Sequence, residues 1–167
     1  MSDFSITCDD FEEGEEIPKK FGYKFENENT IITMHDIPTG TKCTALIMDD
    51  PDAMGAVGKI WVHWLTFCNY DYDSHDETRI LTQELVEKFK TNSMALDAYT
   101  VIDGKNDFGE IGYGGPAPPD KRHTYIFKCY ALDTELNLKE GFSKEELEDA
   151  MKGHILAEAK LTGTFAP

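Results

Sequence analysis

Apolar residues along this chain gather in short blocks bounded by glycine, proline and acids. That spacing belongs to a β protein rather than a helical one. Residues 30–34 (TIITM) are brief and β-branched. Residues 42–48 (KCTALIM) form a compact apolar run that stops at Asp49-Asp50-Pro51. Residues 60–69 (IWVHWLTFCN) are apolar on both alternating sets of positions, with Trp61, His63, Leu65 and Phe67 opposing Val62, Trp64 and Cys68. A strand of that kind needs cover on both sides, which predicts the middle of a sheet. Residues 123–132 (HTYIFKCYAL) read the same way, and residues 99–103 predict one more short strand.

One helix is signalled near the C-terminus. Ser143 and Glu146 make an S-x-x-E capping box, after which Leu147, Ala150, Met151 and Ile155 recur at helical spacing, with Gly153 as the weak point. Residues 82–90 read as a shorter helix or an irregular surface segment. Pro/Gly clusters at residues 51–58 and 112–119 predict turns. The expectation is a mostly-β single domain spanning residues 1–167, with layered sheets and peripheral helices.

Composition narrows this further. The 167 residues are 40% hydrophobic, with 10 Phe, 7 Tyr and 2 Trp, enough for a real core. No stretch of about 18 apolar residues predicts a transmembrane helix. The opening Met1-Ser2-Asp3-Phe4 has neither a basic nor an apolar leader region, so a cytoplasmic protein is expected. Cys8, Cys43, Cys68 and Cys129 are widely spaced with no C-x-x-C pair, which predicts buried thiols rather than a disulfide or zinc framework. The net charge of −16 repels phosphate backbones, disfavouring nucleic acid as a partner, and disfavours docking on anionic membranes.

Two segments carry the candidate chemistry. In Asp50-Pro51-Asp52, an apolar strand ends in two acids with a proline locking the turn between them. Asp side chains in such turns commonly bond neighbouring N–H groups; alternatively one carboxylate orients a histidine or accepts a ligand's ammonium or hydroxyl. His63 follows within the next apolar run, where a histidine is ordinarily a satisfied core residue. The second segment, residues 112–119 (GYGGPAPP), leads to His123 and Tyr125 on one strand face. Its glycines permit close approach by a ligand, and its prolines leave few N–H groups, such as those of Gly115 and Ala117, in set directions. A loop of that kind binds oxyanions through its backbone, although the same residues also suit a plain rigid turn. No P-loop, G-x-S-x-G elbow or H-E-x-x-H is present. Nothing in the spacing of Asp50, Asp52, His63 and His123 demands a metal, so neither metal nor cofactor is expected.

Taken together, these residues closely resemble the phosphatidylethanolamine-binding protein family, which includes the Raf kinase inhibitor proteins. The ordered pieces are D-P-D-A at Asp50–Ala53, His63-Trp64, G-Y-G-G-P-x-P-P at Gly112–Pro119, H-x-Y at His123–Tyr125, A-M-x-G-H-I-L at Ala150–Leu156, and Gly163-Thr164-Phe165. Ile17-Pro18 and Ile37-Pro38-x-Gly40-Thr41 extend the match to nearly the whole chain. Met54 stands where the family usually has proline, and Thr124 where H-R-Y is common; the pattern looks prokaryotic.

The resemblance implies a large antiparallel sheet packed on a smaller one, with peripheral helices. It also implies a non-enzymatic pocket for phosphate-like anions or phospholipid head groups, lined by Asp50, Asp52, His63, Gly115, Ala117, Pro119, His123 and Tyr125, with no catalytic residue. Both histidines and the loop N–H groups would donate to a phosphoryl oxygen. The family also implies a protein-interaction regulator of a kinase or serine protease as an alternative, working through residues 54–60 or 70–92, and leaves room for a homodimer. An Asp/His-dependent hydrolase is a weaker alternative.

Overall fold

A computed structural model describes residues 3–70, 78–81 and 99–167. Among the described residues there are eight strands, β1 (Ser5–Cys8), β2 (Ile32–His35), β3 (Cys43–Asp50), β4 (Trp61–Tyr70), β5 (Thr78–Leu81), β6 (Tyr99–Asp103), β7 (His123–Leu132) and β8 (Ile155–Phe165), and two short helices, α1 (Ala53–Val57) and α2 (Lys144–Met151). They form a five-stranded sheet in the order β6-β4-β3-β7-β8 and a three-stranded sheet in the order β1-β2-β5, and every strand pairing is antiparallel. The fold is thus mostly β, as the hydrophobic blocks predict. The segment 82–90 lies outside the described residues.

The double-sided apolar runs are explained by their place. β3 occupies the centre of the large sheet and is buried along its whole length. On one face, Leu46, Met48, Phe127 and Cys129 share a core with Ile6, Ile32 and Met34 of the small sheet and with Phe4 just before it. On the other, Ala45, Ile47, Leu65 and Phe67 pack beneath Phe142, Leu147 and Met151. Burying such side chains contributes about 1.5–3 kcal/mol each, so two covered faces anchor β3 firmly. All four cysteines are buried within these layers, none of them in a disulfide.

Helix α2 begins as expected, with both halves of the Ser143–Glu146 capping box formed. It ends earlier than expected. Gly153 takes a left-handed φ of 78°, the chain reverses, and Ile155 opens β8 instead of continuing the helix. Ten paired positions along β7 outweigh the local helical spacing. β8 escapes a hydrophobicity reading because Ala157, Ala159 and Gly163 carry its inward alternation, and a Cβ on Gly163 would meet Ile17 and Phe11 at 2.6–2.8 Å. β1 is equally short of apolar bulk and is also absent from the sequence prediction. The turn expected at residues 51–58 holds helix α1, closed by Gly58 at φ 77°. Among the described residues, no helix is long and apolar enough to cross a membrane.

Candidate functional site

β3 runs two residues further than its apolar block, so Asp49 and Asp50 are the end of a central strand rather than a turn. Strand alternation sends them to opposite faces of the sheet. Asp49 accepts from Lys128 Nζ at 2.9 Å and Lys144 Nζ at 3.0 Å, tying α2 to the sheet. Asp50 faces the other way. Its Oδ2 lies 2.7 Å from His123 Nδ1, and its Oδ1 accepts from the Ala53 N–H at 3.1 Å. The start of α1 therefore fixes the carboxylate that fixes the histidine.

A register shift in the β3–β4 ladder decides where His63 points. Met48 pairs with Trp64, but Asp49 pairs with Val62, leaving His63 as the extra residue of a bulge. A bulge reverses the alternation beyond it and re-aims a side chain. Val62 consequently joins Leu65 and Phe67 on the α2 face. His63 turns to the opposite face, where its ring meets Tyr125 edge-on at 5.1 Å and Phe108 at 5.5 Å. The simple alternation that puts His63 beside Leu65 and Phe67 is corrected here: only Trp61 stays with it, against Phe108 at 5.4 Å.

The two histidines are electrostatic opposites. His63 Nδ1 donates to the Gly114 carbonyl at 2.7 Å, which leaves Nε2 as the lone-pair nitrogen of a neutral ring. Burial lowers its pKa below the ordinary histidine value, more than the facing carbonyls raise it. Among the described residues, no hydrogen bond is made by that Nε2. His123 is fully buried and held between two carboxylates, Asp50 on Nδ1 and Asp120 Oδ1 on Nε2 at 2.8 Å. Burial pulls its pKa down, but the bonds and charges of Asp50 and Asp120 outweigh it and hold the pKa above the ordinary value. A ring whose protonated form is favoured and one whose neutral form is favoured therefore flank Tyr125.

Tyr125 closes the group. Its ring is 6.5 Å from His123, and its hydroxyl is buried without a hydrogen-bond partner. Burial pushes that phenol well above its usual pKa, so it stays protonated and is a donor. Orphaned buried hydroxyls are uncommon and point to an occupant such as a water or a ligand. Among the described residues, no group of three or more His, Cys, Asp or Glu side chains is placed to hold a metal ion.

In the glycine–proline loop, one of the two N–H groups singled out in the sequence is taken within the protein. Gly115 N–H donates to Asn27 Oδ1 at 2.8 Å and is therefore occupied. A Cβ on Gly115 would lie 1.9 Å from the Phe21 carbonyl oxygen. Gly115 is thus the point where the loop docks on residues 21–27, reinforced by Tyr23 N–H to Pro116 O at 3.0 Å. Asp52 also has a positioning role, its Oδ2 accepting from the Thr124 N–H at 2.8 Å at the start of β7. Ala117 and Pro119 lie further along the same loop, between this clamp and His123.

Two polar residues of this region, Asp120 and Asn106, carry no sequence signal of their own. Asp120 sits in a turn, three positions before the ring it binds. Asn106, buried, accepts from the Phe108 and Glu110 N–H groups at 3.0 and 3.1 Å and donates to Gly112 O at 3.1 Å. It thereby shapes the turn that lays Phe108 against His63 and stacks it on Tyr23 at 3.8 Å.

Known proteins share this arrangement of chain. Residues 7–166 match the family model described as phosphatidylethanolamine-binding protein. A UPF0098 protein of Methanothermobacter thermautotrophicus is 40% identical over 149 residues, covering 89% of each chain. One from Chlamydia muridarum is 36% identical over 162 residues, covering 96% of this chain and 97% of its own. Among solved structures, a phosphatidylethanolamine-binding protein homolog from Chlamydia trachomatis superposes with a TM-score of 0.78 at 32% identity, over 99% of this chain and 98% of that one. YbcL of E. coli, at 24% identity and a TM-score of 0.74 over 97% of both chains, shares the fold.

Proposed function

The chain belongs to the phosphatidylethanolamine-binding protein family, and from that premise we propose that the His63–Tyr125–His123 group is the floor of a non-enzymatic binding site for a phosphoryl group. The ligand is a phosphate-containing small molecule or a phospholipid head group. The observation that carries this reading is the buried Tyr125 hydroxyl with no protein partner, flanked by His123 on its two carboxylates and by His63 on the Gly114 carbonyl. A protonated phosphate monoester offers what these groups lack. Its anionic oxygens accept from Tyr125 and the His123 cation, and its P–OH donates to His63 Nε2. His63 thus acts as an acceptor in the neutral range, not as the second donor that the sequence implies. The Ala117 N–H supplies a further donor from the loop, and Pro119 holds that loop rigid. Asp50 orients His123, while Asp52 and Gly115 hold the frame.

The test is an amide-resolved NMR titration with inorganic phosphate and O-phosphorylethanolamine, on the wild type and on His123→Ala. Saturable shifts confined to residues 50–63 and 113–125, lost in the variant, are expected. Absence of shifts at millimolar ligand would refute the reading, and turnover of phosphomonoesters would replace it with an Asp/His-dependent hydrolase.

A second reading, a regulator that inhibits a kinase or serine protease, draws on residues 54–60. This segment exposes Met54, Val57 and Ile60 and, in a strongly acidic chain, carries no acid. Recovery of one stoichiometric partner whose binding survives His123→Ala and is lost in Met54→Asp would favour it.

A further inference from the structure

His123 has two ring nitrogens to offer, and one is permanently committed. Asp50, with its side chain 4% exposed and its second oxygen held by Ala53 N–H, locks Nδ1. Only Nε2–H is left for a ligand, and Asp120 Oδ1 sits on it at 2.8 Å. A carboxylate oxygen at that distance from an imidazolium N–H is chemically the same contact that a phosphoryl oxygen would make. The two carboxylates differ in how they are held. The Asp120 side chain is 46% exposed and lies in a turn outside the sheet, so a rotation about its own bonds releases it into water. The neighbouring Arg122 does not compete for it, being engaged with Glu16 at 3.5 Å and Thr164 at 3.2 Å.

We propose that Asp120 is a built-in occupant of the anion position, which an incoming phosphoryl group must displace from His123 Nε2. The proposal rests on the phosphoryl-binding reading of the site and adds a residue that sets its selectivity. A ligand gains the His123 contact only at the cost of the one already present. Asp120 also places a negative charge at the site mouth. Simple anions are therefore held weakly, and the site rejects those that cannot replace the carboxylate with a better-shaped acceptor.

The experiment titrates inorganic phosphate into wild type, Asp120→Ala, Asp120→Glu and His123→Ala, following imidazole and amide resonances by NMR. Asp120 is half exposed, so its removal leaves the sheet intact. The expected result is phosphate affinity about tenfold higher in Asp120→Ala, corresponding to about 1.4 kcal/mol. It should be accompanied by a lower His123 pKa in the ligand-free variant and a near-wild-type value for both in Asp120→Glu. Saturable binding of equal affinity in wild type and Asp120→Ala, abolished by His123→Ala, would overturn the proposal and leave the phosphoryl-binding reading standing. Failure of phosphate to bind either wild type or Asp120→Ala would overturn both.

Discussion

Replacing Asp50 with Asn tests whether a charged pair or merely a hydrogen bond organises the site. The amide keeps the shape of the carboxylate. Its oxygen can still accept from His123 Nδ1, and the bond now 2.7 Å long need not be lost. What disappears is a negative charge beside a buried imidazolium. Two unit charges about 4 Å apart attract by about 4 kcal/mol at an effective dielectric of about 20. Breaking a buried ion pair typically costs about 3–5 kcal/mol. Asp120 still balances part of the charge and the His123 bond survives, but the amide nitrogen that replaces Oδ1 cannot accept from Ala53 N–H, so a loss of about 3 kcal/mol near pH 6 is expected.

The pH dependence supplies the sharper criterion. The folded pKa of His123 is raised above its unfolded value, so the native state holds more protons in that window. The stability it contributes is complete below about pH 6.5 and fades as pH rises through the folded value. Urea unfolding of both proteins at about pH 6 and about pH 9 should show the deficit shrinking to about 1 kcal/mol at the higher pH, where the ring carries no charge and the lost Ala53 bond is the main difference. An equal deficit at both values would refute the charge argument, and no deficit near pH 6 would refute the buried pair itself.

Three further outcomes follow from named contacts. Tyr125→Phe removes a hydroxyl that has no protein partner, so urea unfolding should show stability unchanged within about 0.5 kcal/mol, while phosphate affinity falls several-fold by NMR titration. Gly115→Ala forces a Cβ to within 1.9 Å of the Phe21 carbonyl and strains the Asn27 and Tyr23 bonds. A loss of about 3 kcal/mol in urea midpoint analysis is expected, with the 112–119 loop amides shifted. Ser143→Ala breaks the capping box of α2 and should cost about 1 kcal/mol by the same assay, leaving phosphate binding untouched because α2 packs on the opposite face of the sheet.

The hydrophobic pattern reveals the strands that carry large apolar residues. β3, β4 and β7 are read from Leu, Ile, Met, Trp and Phe at alternating positions, and the helix start is read from Ser143 and Glu146. The pattern misses strands whose buried positions are small. β8 has Gly at position 163 because Phe11 and Ile17 press against it there, and that constraint lies in a segment more than a hundred residues away in sequence. The overrun of the predicted helix has the same origin. Ile155 has the spacing of α2, but pairing with β7 claims it.

The site divides along a similar line. By itself, the sequence determines which residue types are at hand: two acids at the end of a strand, two histidines, a tyrosine and a loop with few free N–H groups. Their order and spacing are specific enough to indicate the family. Only the tertiary structure decides what each does. The bulge at His63 turns that ring away from the neighbours its alternation predicts, and Asn27 claims the Gly115 N–H that an isolated loop would offer to a ligand. Asp120 looks like an ordinary turn acid until β7 brings His123 beneath it. Hydrogen bonds and pKa values depend on distances of a few ångströms across strands remote in sequence, and the order of residues in one segment carries no record of those distances.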